Sequence, residues 1–337
     1  MSDRDQGADL FIATTDWAEA TRHPLAGDAS NRRYDRLVRA ETGETAVLMD
    51  APSARGEDVT PFIAIAKHLS DLGLSAPRIL AEDRSQGFLL LEDLGDALFA
   101  RVLAAGTAHE DVLYAAATDL LVTLHQAPVP NVPAYDAGAM TPLAGLALSK
   151  YRAAITRQAD PALETEFAAL MQPLLAAHAA ERPVLVLRDY HAENLIWLPD
   201  RTGIERVGLL DFQDAMAGHP AYDLVSLLQD ARRDVPPGLE RAMIDRYCAA
   251  TGAERDRFAA DYAVIGAQRN LRILGVFARL GLEHGKPHYV DLIPRVWGLL
   301  QRDLAHPALA PLARFASKAL PEPTPEALDR LRGGRAA

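Results

Sequence analysis

The sequence predicts an α+β protein in which a small strand-rich N-terminal part with one helix precedes a mainly helical part. Three observations carry this. Short apolar runs bounded by turn residues dominate the first 91 residues, apolar residues recur at helical spacing from Ala97 onward, and a strand-turn-strand block interrupts the helical part at 184–210. With 337 residues, 49% hydrophobic and 24% charged, the chain can bury a substantial core and divides more naturally into two lobes than one.

In order, residues 1–9 are polar, and a helix is expected over 10–23 with Trp17 on its apolar face. A turn containing Gly27, Asp28, Ser30 and Asn31 then leads into a strand ending at Val38, and 46–49 is the next strand. Small-residue turns can lay backbone N–H groups over phosphates, but on the residues alone a plain surface turn is the favoured reading. Thr60 and Pro61 read as the N-cap and first position of a helix whose face carries Phe62, Ile65, Ala66, Leu69 and Leu72, and Gly73 ends it. Ile79-Leu80 and 87–92 supply two more strands, the second closing on Glu92-Asp-Leu94-Gly95.

Helical spacing then governs 110–125, where His125 is read as a partner of the helix dipole, and 143–180, broken near Asp160-Pro161. A Pro-rich connection at 127–133 lies between them. After the strand block, helices are expected over 221–231, 238–250, 254–282 and 289–305, and the prolines near 320 mark a peripheral tail.

Composition narrows the function classes. A formal net charge of -11 lacks the basic footprint of a nucleic-acid or anionic-membrane binder, so any phosphate must be held locally. The start has no basic stretch leading into an apolar core, and no apolar run approaches a membrane span, so a cytoplasmic protein is expected. The single cysteine, Cys248, sits in an apolar helical pattern and reads as buried filler, which excludes an intrachain disulfide and a thiolate metal cluster. Gly281-Leu-Glu-His-Gly-Lys286 has the wrong spacing for a Walker A loop, and His191-Ala-Glu193 lacks the cysteines of a zinc deaminase.

The chemistry concentrates in the strand block. Apolar runs at 184–187, 195–198 and 207–210 surround two turns. If the second and third runs pair as a hairpin, Asp189, Asn194 and Asp211 gather at one end. Such an oxygen-rich set suits a hard cation such as Mg2+ with phosphate as its other ligand, and a nearby carboxylate could accept a hydroxyl proton.

Asp189-x-x-x-x-Asn194 followed by Asp211-Phe-Gln213 resembles the catalytic and metal loops of kinase-like phosphotransferases. With Gly218-His-Pro-Ala-Tyr-Asp-Leu224, the pattern is similar to the aminoglycoside phosphotransferase and choline kinase superfamily. Within that superfamily, Leu187-Arg-Asp-Tyr-His-Ala-Glu-Asn194 and Asp211-Phe-Gln-Asp-Ala215 most resemble the anomeric N-acetylmuramate/N-acetylglucosamine kinases.

The resemblance implies a bilobal protein-kinase-like fold: a nucleotide lobe over 1–91, a hinge at 92–95, and a catalytic and substrate lobe over 96–337. It implies Asp189 as the base, Asn194 and Asp211 as Mg2+ ligands, and Asp223 as a brace for the catalytic loop. ATP would lie against Gly27, Asp28, Ser30, Asn31 and Arg32, with adenine on the backbone near Glu92 and Leu94. The implied reaction is ATP-dependent phosphorylation of the anomeric hydroxyl of an amino sugar, a small-molecule partner. The alternatives are another small alcohol, aminoglycoside or choline-like, and a nucleotide-binding pseudokinase.

Tyr190, His191, Glu193, Gln213 and Asp214 flank the catalytic groups and can hydrogen-bond a polyol or acetamido group. Arg269 and Arg272 suit a substrate carboxylate, or they pair with acidic residues of the chain. Two departures from the family stand out. No lysine precedes Lys67, so the strand at 46–49 lacks the usual phosphate-pairing lysine, and Arg32, Arg33, Arg36 and Arg55 are the candidates to replace it. Leu187 stands where a histidine is usual.

Overall fold

Ala8, Phe11 and Ile12 of helix α1 (Asp3–Ala13) bury against Leu37, Ala46, Leu48, Phe88 and Leu90 of a five-stranded sheet. The structure, a computed structural model, describes residues 3–25 and 32–333. The sheet comprises β1 (Thr21–Leu25), β2 (Arg33–Val38), β3 (Thr45–Asp50), β4 (Ile79–Asp83) and β5 (Phe88–Glu92). Its order is β1-β2-β3-β5-β4 with every neighbour antiparallel. Helix α2 (Thr60–Asp71) buries Phe62, Ile65, Ala66 and Leu69, the face that its spacing predicts.

The expected helix at 10–23 requires correction, because the helix lies at Asp3–Ala13 and Thr21–Leu25 is a strand. Local hydrogen bonds explain the stop. The hydroxyls of Thr14 and Thr15 donate back to the carbonyls of Phe11 and Ile12, at 2.7 and 2.8 Å, competing with helical continuation. Pro24 is tolerated because β1 is an edge strand. Trp17 lies between the helix and β1, with the Arg39 guanidinium 4.3 Å above its ring. At the turn into β5, Gly87 has φ 75°, and a Cβ there would meet the Ala51 carbonyl oxygen at 2.1 Å. Only glycine fits that approach.

The chain divides into two compact units, residues 1–120 with 192–215 and residues 121–191 with 216–337. The first therefore contains α3 (Phe99–Ala104), most of α4 (Glu110–Gln126) and, returning much later in the chain, the hairpin over 195–209. This is a different division from the lobes expected on either side of residue 91.

In the second unit, α5 (Ala137–Ala144), a π-helical segment (Ala147–Arg152), α6 (Ala153–Thr156) and α7 (Pro161–Ala177) precede strand β6 (Val184–Val186). Asp160 caps α7 by accepting the Leu163 N–H at 3.0 Å, which explains the expected break. The hairpin strands β7 (Leu195–Trp197) and β8 (Val207–Leu209) follow in sequence, and β9 (Met216–Gly218) returns to pair with β6. The chain continues through α8 (Ala221–Leu228), α9 (Pro237–Thr251), α10 (Arg255–Glu283), α11 (Ile293–Leu304), α12 (Ala310–Ala319) and α13 (Pro325–Leu331).

Helix α10 is central to this unit, burying Val264, Ala267, Leu271 and Leu274. The expected peripheral tail near 320 is instead packed. Leu331 is fully buried, the Tyr151 hydroxyl donates to the Pro321 carbonyl at 2.7 Å, and Arg330 donates to the Ile155 carbonyl at 2.7 Å. Cys248 is buried as expected. No described helix is long and apolar enough to cross a membrane.

Candidate active site

The β7–β8 hairpin forms with Leu195 opposite Leu209 and Trp197 opposite Val207, as the turn residues between them predict. One further ladder bond, Leu210 N–H to the Asn194 carbonyl at 3.0 Å, holds the open end together. Asn194 and Asp211 thus flank the same hairpin end. β6 is not part of this ladder: it pairs with Met216–Gly218, a strand that the sequence reading did not identify. That three-residue segment carries little apolar signal of its own, and its strand character comes from the partner.

Asp211 is exposed and has φ 57°, a left-handed conformation that Asp tolerates better than most side chains. Its Oδ1 accepts a hydrogen bond from Gln213 Nε2 at 2.7 Å. The next residue, Phe212, is fully buried and stacks on Phe62 of α2 with ring centroids 4.9 Å apart. This apolar anchor fixes the backbone from which Asp211 projects. Asp214 and Glu193 are exposed and Gln213 is partly so.

One amide and one carboxylate oxygen donor fit a hard cation that takes its remaining ligands from phosphate and water. Among the described residues no group of three or more His, Cys, Asp or Glu could hold a metal ion by itself. The partly buried Tyr34 phenol, whose pKa is raised by desolvation and by the nearby Asp211 and Glu57 charges against the pull of Arg32, lies on the adjacent sheet.

The arginines proposed as substitutes for the missing lysine have distinct surroundings. Arg32 Nε donates to Glu57 at 2.8 Å. Arg33 pairs with Asp5 at 2.7 Å. Arg36 is fully committed to the segment after β5, with Nε 2.6 Å from Asp93 and Nη1 2.7 Å from Asp96. Arg55 ends an exposed 3-10 turn. Gly27, Asp28, Ser30 and Asn31 lie outside the described residues.

Glu92 ends β5, and its carboxylate accepts from Arg201 Nη2 at 2.8 Å and Arg78 Nε at 3.1 Å. Arg201 also donates to Ser75 at 2.6 Å. Leu94 is buried, and a Cβ added to Gly208 would meet it at 3.1 Å, so the bare Gly208 backbone permits that packing. Neither Arg201 nor Ser75 was singled out by sequence, because both act at long separation along the chain.

In the second unit, Asp189 is partly buried and follows Arg188, whose φ is 71°. Asp223 fixes this turn. Its Oδ2 accepts the Leu187 N–H at 2.6 Å and its Oδ1 the Arg188 N–H at 2.8 Å. The brace role implied for Asp223 is therefore realised in hydrogen bonds. Burial pushes the Asp223 carboxyl up to about 7, against those two N–H donors, which favour the ionised form.

A second support reaches the same turn. Arg269 Nη2 donates to Ser226 Oγ at 2.8 Å, and Ser226 Oγ donates to the Arg188 carbonyl at 3.2 Å. Leu187 is itself buried, so apolar packing occupies the place of the usual histidine. Arg269 is only 5% exposed and Tyr190 only 1%, and both belong to the interior. His191 is also buried, which lowers its pKa to about 4 despite the nearby Asp230 carboxylate. Arg272 is less enclosed than Arg269 and donates from Nη1 to the Tyr222 hydroxyl at 3.0 Å.

Residues 21–260 match the model of the phosphotransferase enzyme family. The chain belongs to that family. It is 41% identical to an N-acetylmuramate/N-acetylglucosamine kinase of Caulobacter vibrioides, across 96% of this chain and 98% of that one. It is 36% identical to a protein of the same name from Pseudomonas aeruginosa, across 91% of each. Among solved structures, an aminoglycoside 2'-phosphotransferase in complex with GDP superposes with a TM-score of 0.60 at 17% identity, covering 89% of this chain and 97% of that one. An ethanolamine kinase of Plasmodium vivax also gives 0.60, at 12% identity, covering 91% and 86%. These likenesses establish the kinase-like fold that the motif predicted, and the family membership makes this phosphotransferase an enzyme.

Proposed function

We propose that this phosphotransferase uses ATP to phosphorylate the anomeric hydroxyl of N-acetylmuramate or N-acetylglucosamine. The observation that carries the substrate class is the 41% identity, over nearly the whole of both chains, to a kinase named for those two sugars. The composition fits a small-molecule substrate that is gripped locally.

In this reading Asp189 accepts the proton of the sugar hydroxyl and orients its oxygen towards the terminal phosphate. Asn194 and Asp211 would hold Mg2+, which when bound neutralises phosphate charge. Asp223, Ser226 and Arg269 keep the Arg188–Asp189 backbone in its left-handed turn. The sheet through residue 91 binds the nucleotide, with the backbone of 92–95 as the adenine edge and Arg32 or Arg55 beside the phosphates. Arg36 is assigned to bracing that edge, because both of its faces are already taken by Asp93 and Asp96. Glu193, Gln213 and Asp214 are the polar groups available to an acceptor, whereas Tyr190 and Arg269 act from the interior.

An acceptor panel tests the proposal: N-acetylmuramate, N-acetylglucosamine, an aminoglycoside, choline and ethanolamine, with ADP release measured and products identified. Transfer to the anomeric oxygen of the two N-acetyl sugars is expected. Turnover only with the amines would replace the amino-sugar reading, and no acceptor-dependent ADP release would point to a pseudokinase.

A further inference from the structure

Arg272 is a partly enclosed cation whose hydrogen-bond partner among the described residues is a neutral phenol. Its Nη1 donates to Tyr222 Oη at 3.0 Å, and Tyr222 Oη lies 3.3 Å from Tyr135 Oη. Among the described residues it forms no ion pair. This contrasts with Arg36, Arg201, Arg257, Arg295 and Arg302, each of which sits on a carboxylate. Acidic residues are not scarce, since the chain has 46 Asp and Glu against 35 Lys and Arg.

Withdrawing a guanidinium from water without an anion sacrifices solvation that a ligand anion would restore. The tyrosine pair holds the head in place and leaves most of its donors uncommitted, since a guanidinium carries about five N–H groups in a fixed fork. The same corner holds the catalytic turn. The Asp189 charge is among the groups that act on Arg272, and Arg188 lies 5.3 Å over the Tyr135 ring.

We propose that Arg272, oriented by Tyr222 and Tyr135, is the specificity-determining residue that binds the carboxylate of an acidic acceptor sugar. The inference rests on the amino-sugar reading given above and extends it to the choice between the two sugars. N-acetylmuramate carries a lactyl carboxylate on the same ring as its anomeric hydroxyl, and N-acetylglucosamine carries none. A planar fork matches a carboxylate through two parallel N–H bonds, which lysine cannot reproduce. Arg269 is less accessible to a ligand, being only 5% exposed, with its Nη2 on Ser226 Oγ.

The test measures kcat/KM for N-acetylmuramate, its uncharged methyl ester and N-acetylglucosamine, in the native enzyme and in Arg272→Gln and Arg272→Lys. The ratio of kcat/KM for N-acetylmuramate over N-acetylglucosamine should fall about 10- to 100-fold in Arg272→Gln, chiefly through KM, the usual effect of losing a charge-assisted pair. Arg272→Lys should recover part of it. In the native enzyme the methyl ester should be disfavoured by a similar factor, a readout independent of how either variant folds.

An unchanged ratio, an ester as good as the acid, or native turnover of the neutral sugar alone would overturn the assignment. So would an equal loss on both sugars with a raised KM for ATP, which would give Arg272 to the nucleotide phosphates. If the native enzyme phosphorylates neither sugar, the underlying amino-sugar reading fails first, and that result is distinct from all of these.

Discussion

Asp223 holds Arg188 in place: its Oδ1 accepts the Arg188 N–H at 2.8 Å, while Arg188 keeps a left-handed φ of 71° immediately before Asp189. The bond is part-buried, and its partner on Leu187, which is buried, is shorter still at 2.6 Å. Removing the carboxylate would strand both N–H donors. Asp223→Ala should therefore lose about 3 kcal/mol of stability, since each unsatisfied buried donor costs about 1–3 kcal/mol. Its kcat should fall at least about 100-fold through displacement of Asp189, the proposed base, with the KM for ATP little altered. Urea unfolding and steady-state kinetics check the two effects, and a variant with native kcat would remove Asp223 from catalytic positioning.

The left-handed backbone at Asp211 lets its structural role be separated from its proposed role as a Mg2+ ligand. Asn tolerates φ 57° about as well as Asp, so Asp211→Asn should fold within about 1 kcal/mol of the native enzyme. Without the charge it should lose Mg2+-dependent nucleotide binding. Calorimetric titration with MgATP checks this, and unchanged affinity would take Asp211 out of the metal site.

Arg201 ties the end of β5 to the turn before β4, through Glu92 at 2.8 Å and Ser75 at 2.6 Å. The pair is partly exposed, so Arg201→Ala should cost only about 1 kcal/mol of stability. A several-fold rise in the KM for ATP is expected if the backbone of 92–95 is the adenine edge. An unchanged KM in a destabilised variant would make Arg201 a purely structural tie.

His125 gives the stability a predictable pH dependence. The sequence reading made it a charged partner of the α4 dipole, but its Nδ1 lies 2.7 Å from the Tyr247 hydroxyl, and burial lowers its pKa to about 3. The folded state therefore keeps it neutral, whereas the unfolded chain protonates it near pH 6.5. Below that value the unfolded state binds the additional proton, so stability is present above pH 6.5 and is lost as the pH falls towards the folded value. Between pH 6 and 4 the His125 contribution to the slope approaches about 1.4 kcal/mol per pH unit. His125→Gln should flatten the dependence of unfolding free energy on pH by that amount, as measured by denaturant titrations at several pH values. An unaltered slope would mean that His125 is already protonated when folded.

The pattern of what the sequence disclosed has physical causes. Helix α2, strands β2 to β5 and the β7–β8 hairpin were legible because strong local periodicity and turn residues agree with their tertiary setting, whereas β1 was taken into the expected helix over 10–23. Helix α1 was misplaced because Ala8, Phe11 and Ile12 gain their meaning only from the sheet beneath them, and Trp17 mimicked a continuing apolar face. Strand β9 was missed because its conformation is imposed by β6. For the proposed site, Asp189, Asn194 and Asp211 rest on spacing and resemblance. Ser226, Arg201 and the left-handed Arg188 could not, since they depend on hydrogen bonds that join distant parts of the chain. Arg269 and Arg272 looked equivalent in sequence, three positions apart on one helix, and only burial and bonding separate the buried Arg269, on Ser226, from the less enclosed Arg272, on Tyr222.

The central claim is that Asp189 is the base of an ATP-dependent transfer to an amino sugar. Its most direct test compares N-acetyl-sugar-dependent ADP formation by the native enzyme and Asp189→Asn, with nucleotide affinity measured on both proteins. The account predicts sugar 1-phosphate from the native enzyme and a loss of kcat of at least about 100-fold in the variant, the scale of general-base catalysis, with MgATP affinity preserved. Full turnover by Asp189→Asn with normal nucleotide binding would contradict it.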